Sequence, residues 1–204
     1  MALADLPPQT AARAQTLVSL PLATARLGLW QIKEPDPMAR PRTIPDAEIY
    51  ATIRALVVRD GEKAVAFGPV ARLTGLAPPS LVQRYGNRDG MIRAALLDGW
   101  QALHAQTTTT AEAQPQALLK ALAEQAAAMT DPALMALTLR DATLRAAAET
   151  WRADLESLLT LRLGGGTKGQ EAAAMLFATW QGQLLWLHAG GKGFRIKDAA
   201  KRLT

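Results

Sequence analysis

The chain has 204 residues, 49% of them hydrophobic, with a formal charge of +5 and a sequence pI near 9.9. It contains no cysteine, which excludes disulfides, thiolate metal sites and cysteine nucleophiles and suits a reducing cytoplasm. The opening "MALADLPPQT" lacks the basic-then-apolar layout of a secretory signal, no apolar run is long enough to cross a bilayer, and the mild basic excess is compatible with a phosphate-bearing partner.

Residues 1–37 are rich in Ala and Leu but broken by Pro7, Pro8, Pro21, Pro35 and Pro37, and proline ends or kinks a helix. They predict a short amphipathic helix over 9–20, a second over 23–32, and a linker. At Met38 the character changes to "MARPRTIPDAEIYATIRALVVRDG". The first 37 residues are therefore either an extension ahead of an alternative start or a helix packed on the body.

From Pro45 onward Ile49, Ile53, Leu56 and Val57 fall at the spacing of a buried helical stripe, and Gly61 supplies a stop. A second helix is predicted from Pro69 to Leu73 or Thr74, with Val70 and Leu73 inward and Gly75 closing it. A third opens at Pro78 or Pro79 and stops at Gly86, with Leu81, Val82 and Tyr85 packing inward or sideways. A fourth begins near Asp89, taken as its cap, and runs through Trp100 towards the threonines at 107–110. Further helices are predicted over 116–129, 132–147, 149–163 and 170–188. No run alternates with the period of a strand, so the sequence predicts an all-α fold.

Two short helices around a glycine turn, propped by a longer one, describe a helix-turn-helix, whose second helix can enter a DNA major groove. Its outward residues by spacing are Ser80, Gln83 and Arg84. Gln83 is suited to adenine and Arg84 to guanine or phosphate, Tyr85 closes the helix, and Arg88 just beyond is suited to a phosphate. Arg40 and Arg42 form an arm before the first helix, placed as minor-groove arms of other DNA binders are.

The run "GEKAVAFGPVARLTGLAPPSLVQRYGNRDGMIRAAL" resembles the DNA-binding segment of the tetracycline-repressor (TetR) family of transcription regulators. Gly61, Ala64, Phe67, Val70, Ala71, Gly75, Leu76, Leu81 and Tyr85 carry the likeness, with Arg88 where the family usually has lysine. It covers about residues 45 to 97. Ala66 stands where the family usually has threonine, Val82 where it has a phosphate-contacting tyrosine, and Ala77 and Pro78 where it often has serine and a basic residue. Losing such phosphate contacts weakens nonspecific affinity.

The resemblance implies an N-terminal extension or arm over 1–40, a helix-turn-helix domain over 41–88 and a helical ligand-binding and dimerisation domain over 89–204. It implies a homodimer built on the last two long helices, for which Leu155, Leu159, Phe177, Trp180, Leu184 and Leu187 are the expected interface residues. The small Ala178 and Gly182 among large apolar neighbours fit a helix with a partner on each of two faces. An effector pocket among the middle helices takes Trp100, His104, Met129, Leu134, Met135 and Leu139 as candidates and suits an apolar or aromatic small molecule.

"LGGGTKGQ" at 163–170 lacks phosphate-loop spacing and reads as a flexible connection. His104 and His188 have no ligand partner at metal spacing along their helices, and no catalytic constellation, cofactor or metal site is expected. The expected function is a cytoplasmic, ligand-responsive regulator, most often a repressor in that family, binding operator DNA as a homodimer and not spanning a membrane. The alternative is a helical ligand-binding or interaction protein on the same scaffold with little specific DNA binding.

Overall fold

In the α-helix Asp46–Asp60 (α1), Ile49, Ile53, Leu56 and Val57 form one fully buried stripe, as their spacing predicts. The structure, a computed structural model, describes residues 44–190 and Asp198; the predicted helices of the first 37 residues, and Arg40 and Arg42, lie outside the described residues. The chain divides into a unit of residues 1–39 and a unit of 40–204, and everything described belongs to the second.

Gly61, at φ 81°, ends α1, and a 3-10 turn over Glu62–Ala64 leads to Phe67–Thr74 (α2) and Pro78–Tyr85 (α3). Next comes Arg88–Thr109 (α4), 22 residues long. Its cap is Asn87, whose side chain accepts from the Gly90 amide at 2.7 Å; Asp89, expected in that role, lies in the first turn instead. Pro115–Met129 (α5) follows.

The predicted helix over 132–147 is two helices. Asp141 has extended backbone and its carboxylate accepts from the amides of Thr143 and Leu144 at 2.9 and 3.1 Å, which ends Pro132–Arg140 (α6) and caps Ala142–Arg162 (α7). The break predicted near residue 148 does not occur, because Ala146, Ala147 and Ala148 are good helix formers in mid-helix. Gly166–Trp186 (α8) starts inside the stretch expected to be a flexible connection, leaving Leu163 to Gly165 as the turn.

Two apolar clusters result. The first joins the α1 stripe to Val70, Leu81 and the first three turns of α4, with Leu134 from α6 and Leu144 from α7 reaching into it. The second gathers Trp100 and Leu103 of α4 with the inner faces of α5, α7 and α8. Two of its large aromatics have their N–H groups satisfied: the Trp100 indole donates to Thr138 Oγ1 at 3.2 Å and that of Trp151 to Thr107 Oγ1 at 3.0 Å. Helix α4 contributes to both clusters.

Ion pairs tie the α6–α7 corner to the first cluster's surface. Arg140 donates to Glu62 at 2.6 Å and Arg93 of α4 donates to Asp141 at 2.6 Å. The Arg140 bond is the main reason Glu62 titrates below the usual carboxylate range, and the Arg93 bond does the same for Asp141.

Two outcomes follow for stability. A Cβ at Gly90 would run into the backbone carbonyl of Tyr85. Gly90→Ala is therefore expected to lower the unfolding free energy by about 1–3 kcal/mol through overpacking, read as a lower urea midpoint, although alanine normally stabilises a helix interior; a raised midpoint would show that the α3–α4 turn yields freely. Asp141→Ala is expected to cost about 0.5–2 kcal/mol through the lost cap. Because Asp141 is held below its ordinary 3.8, first by Arg93 and then by the capped amides, the stability these partners add is present above about pH 4 and is lost as pH falls through the lowered folded value. In urea titrations of the wild type and Asp141→Ala from pH 7 to 3 the gap should narrow below about pH 4, and a constant gap would refute the assignment.

Candidate nucleic-acid interface

Helices α2 and α3 are too short to be stable alone and are held by burial of Val70, Ala71, Thr74 and Leu81 against α1 and α4. Gly75 adopts φ 72°, ψ 10°, the left-handed conformation that lets the chain turn sharply, and its amide donates to Ala71 O at 2.8 Å. Pro78 and Pro79 preset the first turn of α3, where their missing amides cost nothing. The end of α3 is fixed by the Tyr85 ring, 6.0 Å from that of Tyr50 on α1. Burial first, and the neighbouring Tyr50 second, push the Tyr85 phenol up to about 12, so it is neutral at physiological pH.

The outer face of α3 carries Ser80, Gln83 and Arg84, all exposed, as their spacing predicts. Two apolar residues depart from expectation. Leu73, predicted inward, is 54% exposed, and Val82 is 43% exposed on the face that also holds Gln83. The inner stripe of α2, which begins at Phe67 and not at Pro69, is filled by Val70, Ala71 and Thr74, on the side of Val70 away from Leu73. Arg72 adds a cation to the exposed side of α2.

The two arginines are engaged differently from a free phosphate clamp. Arg84 Nη1 donates to Asp46 Oδ1 in the first turn of α1 at 2.5 Å, and both side chains are partly exposed. Arg88 is bound inward: its Nε donates to Val65 O at 2.8 Å and Nη2 to Glu62 O at 2.5 Å, with Asp89 near Nη1 at 3.3 Å. Arg88 thus pins the 3-10 turn to the start of α4. Neither Asp46 nor Glu62 was singled out by sequence spacing, since they lie 38 and 26 residues from their arginines.

The six candidate effector residues do not converge. Trp100 is sealed in the second cluster, Met135 packs against that cluster, and Leu139 is 56% exposed. His104 sits at the surface with Nδ1 3.3 Å from Asp154 Oδ2. Of the six, Met129 and Leu134 alone line an apolar groove of about 970 Å³ between α1, α5, the start of α6 and the end of α8. Its other walls include Ala55 and Val58 on α1, and Leu184 and Leu185 on α8. The apolar spacing Ala51, Ala55, Val58 on the second face of α1 was the signal available for it.

The expected interface residues are likewise mostly internal. Leu155, Leu159, Phe177 and Trp180 are buried in the chain's own core, Leu184 is half-buried against it, and Leu187 is exposed. Outward from the α7–α8 pair lie instead Ala153, Ser157 and Leu161 on α7, and Ala174, Met175 and Ala178 on α8. Gly182 continues the α8 stripe with open space beside it. Among the described residues no helix is long and apolar enough to cross a membrane.

No protein-family profile and no curated protein matches the chain. Among solved structures, a candidate fatty acid metabolism regulator of Clostridium perfringens is similar with a TM-score of 0.52 at 15% identity, over 76% of this chain and 93% of that one. A TetR-family transcriptional regulator, PfmR, of Thermus thermophilus gives a TM-score of 0.49 at 16% identity, over 76% and 94%. The first of these likenesses is one of fold: this chain is an all-α protein, in which a short helix pair rides on a helical body, with the fold of the regulator structure it matches.

Proposed function

We propose that this protein is a homodimeric transcription regulator of the tetracycline-repressor type, acting as a repressor released from its operator by a small apolar effector. The observation that carries the reading is the α2–α3 pair itself. Its marginal helices are anchored through Leu81 and Tyr85 and turn Ser80, Gln83 and Arg84 outward on one face, the arrangement that major-groove reading needs. Two such heads on one dimer would span half-sites about one helical turn apart.

The outward α7–α8 face supports pairing. Small residues at Ala153 and Ser157, and at Ala174, Ala178 and Gly182, repeat every fourth position, so two such pairs can approach closely around Leu161 and Met175. The groove beside α1 supports an apolar effector, because a molecule filling it would touch the helix that props the reading pair as well as α5 and α8 of the body. Such a ligand shifts DNA affinity only by its preference for one head position over another.

A second reading is favoured by Arg88 and Val82. With Arg88 bound to Val65 and Glu62, and valine where the resembled family has a phosphate-contacting tyrosine, the head offers few phosphate contacts. On that reading the chain is a helical ligand-binding protein with little specific DNA affinity.

The deciding experiment is selection of binding sequences from random duplexes, followed by fluorescence anisotropy over a salt series. A regulator yields an enriched two-half-site sequence that is still preferred at physiological salt, and apolar compounds that occupy the groove weaken that complex. No enrichment, with binding erased equally by salt for every duplex, supports the second reading. For the dimer, Ala178→Glu places a charge at the centre of the proposed interface without entering the chain's own core. It is expected to convert a dimer to a folded monomer in sedimentation and to weaken operator binding at least tenfold; an unchanged dimer would move the interface elsewhere.

A further inference from the structure

We propose that Asp46 is a positioning residue that sets base specificity by holding the Arg84 guanidinium at the end of the reading helix for a guanine edge. The inference rests on the regulator reading and names what this part of the site would select.

Arg84 lies in the last turn of α3, on its exposed side, and reaches back to the first turn of α1, where its Nη1 meets Asp46 Oδ1 at 2.5 Å. A guanidinium carries five N–H groups in a rigid planar fork, so a bond to one nitrogen leaves donors on the others aligned for a second planar partner. Guanine presents such a partner through O6 and N7, and the bidentate arginine pair is the commonest specific contact in the major groove. An unheld arginine at the same place would swing to the nearest phosphate, which is closer to the protein surface and carries no sequence information.

The anchor is itself well placed. Tyr50 and Tyr85 pack their rings 6.0 Å apart between the same two helices, fixing the distance from α1 to the end of α3. An acidic residue in the first turn of α1 also sits where the helix dipole favours a negative charge. That charge has a second effect. Facing the duplex, it repels phosphates and neutralises Arg84, so it lowers affinity for random DNA while leaving the base contact intact. Asp46 thereby converts a cation that would bind any duplex into one that discriminates.

The test uses the full chain with the duplex selected by the wild-type protein, a scrambled duplex, and a series with each guanine of the selected site replaced by adenine. Anisotropy would be measured over a salt series for wild type, Asp46→Asn, Asp46→Glu, Arg84→Ala and the Asp46→Asn/Arg84→Ala double variant, with circular dichroism to check folding. Asp46→Asn is expected to bind scrambled DNA more tightly, with a salt slope steeper by about one phosphate contact. Its operator-to-scrambled ratio should fall about tenfold, within the range of one lost bidentate base contact, with the loss concentrated at one guanine. Asp46→Glu, which keeps the charge, should restore part of the ratio, and in the Arg84→Ala background Asp46→Asn should leave the ratio unchanged. Equal strengthening of both duplexes by Asp46→Asn, or the same loss of ratio with Arg84 absent, would overturn the positioning role while leaving a DNA-binding regulator standing. Failure of the wild-type protein to enrich any sequence would overturn both.

Discussion

The continuity of α4 is the constraint on which the rest of the structure depends. Its first three turns place Met91, Ile92, Ala95 and Leu96 under the short helices, and its next two place Trp100 and Leu103 in the body core. An unbroken helix moves as a rod, because its hydrogen bonds and packed side chains resist local bending. The α2–α3 pair consequently cannot tilt on a rigid α4 without displacing residues that touch α5, α7 and α8. Gly99, midway along the rod, is where this is tightest: the Met129 side chain of α5 lies directly against its backbone, leaving no room for a Cβ. A residue that lines the groove is thus in contact with the helix that carries the head.

The second organising feature is that the head uses its charges internally. Arg84 meets Asp46, Arg88 meets the backbone of Val65 and Glu62, and Arg140 and Arg93 close the corner between α6 and α7. Partly exposed pairs of this sort contribute modestly, about 0–1 kcal/mol each. Their value lies in geometry: Glu62 accepts from both Arg88 and Arg140, so the turn entering α2 is joined to α4 and to the end of α6 by one carboxylate. The formal charge of +5 is accordingly a poor guide to the surface that a duplex would meet. Some of the cations that a count would assign to phosphate are already bound within the fold.

How much of this was legible from residue order depended on whether a helix has one apolar face or two. Helix α1 has a single fully buried stripe, and its four core positions and its glycine stop were readable from spacing. The turn between α2 and α3 was readable for a related reason, since Gly75 and Gly86 can take the positive φ that a sharp turn needs and the proline pair fixes φ for a first helical turn. Helix α8 carries apolar residues on more than one face, and periodicity alone cannot say which side meets its own core. Phe177 and Trp180 turned inward because large aromatics fill volume best, and the small residues Ala174 and Ala178 were left outside. The break at Asp141 was hidden by its neighbours: a run of alanine and leucine on both sides reads as one helix unless the carboxylate is seen to bond forward to two amides. Long-range charge pairs such as Arg84 with Asp46 leave no periodic trace, so the residues that most affect how the head presents its arginines appear only in three dimensions.

The groove and the outward α7–α8 face give the body two apolar surfaces with different chemistry. Among the exposed residues of α7 and α8, the small Ala153 and Ser157, and Ala174 and Ala178, recur at every fourth position beside the larger Leu161 and Met175, a spacing that suits close approach of another helix. The groove has depth and flexible walls, with Met129 and Leu184 among its lining, and Leu185 and Leu187 stand exposed at its rim. A methionine thioether and leucine side chains adapt to irregular apolar shapes at low cost. Helix α1 carries Asp46 at its first turn and Tyr50 one turn later, so the helix that walls the groove also holds the partners of Arg84 and Tyr85 on α3. The groove and the Arg84 contact thus share α1, as a wall of the one and the anchor of the other.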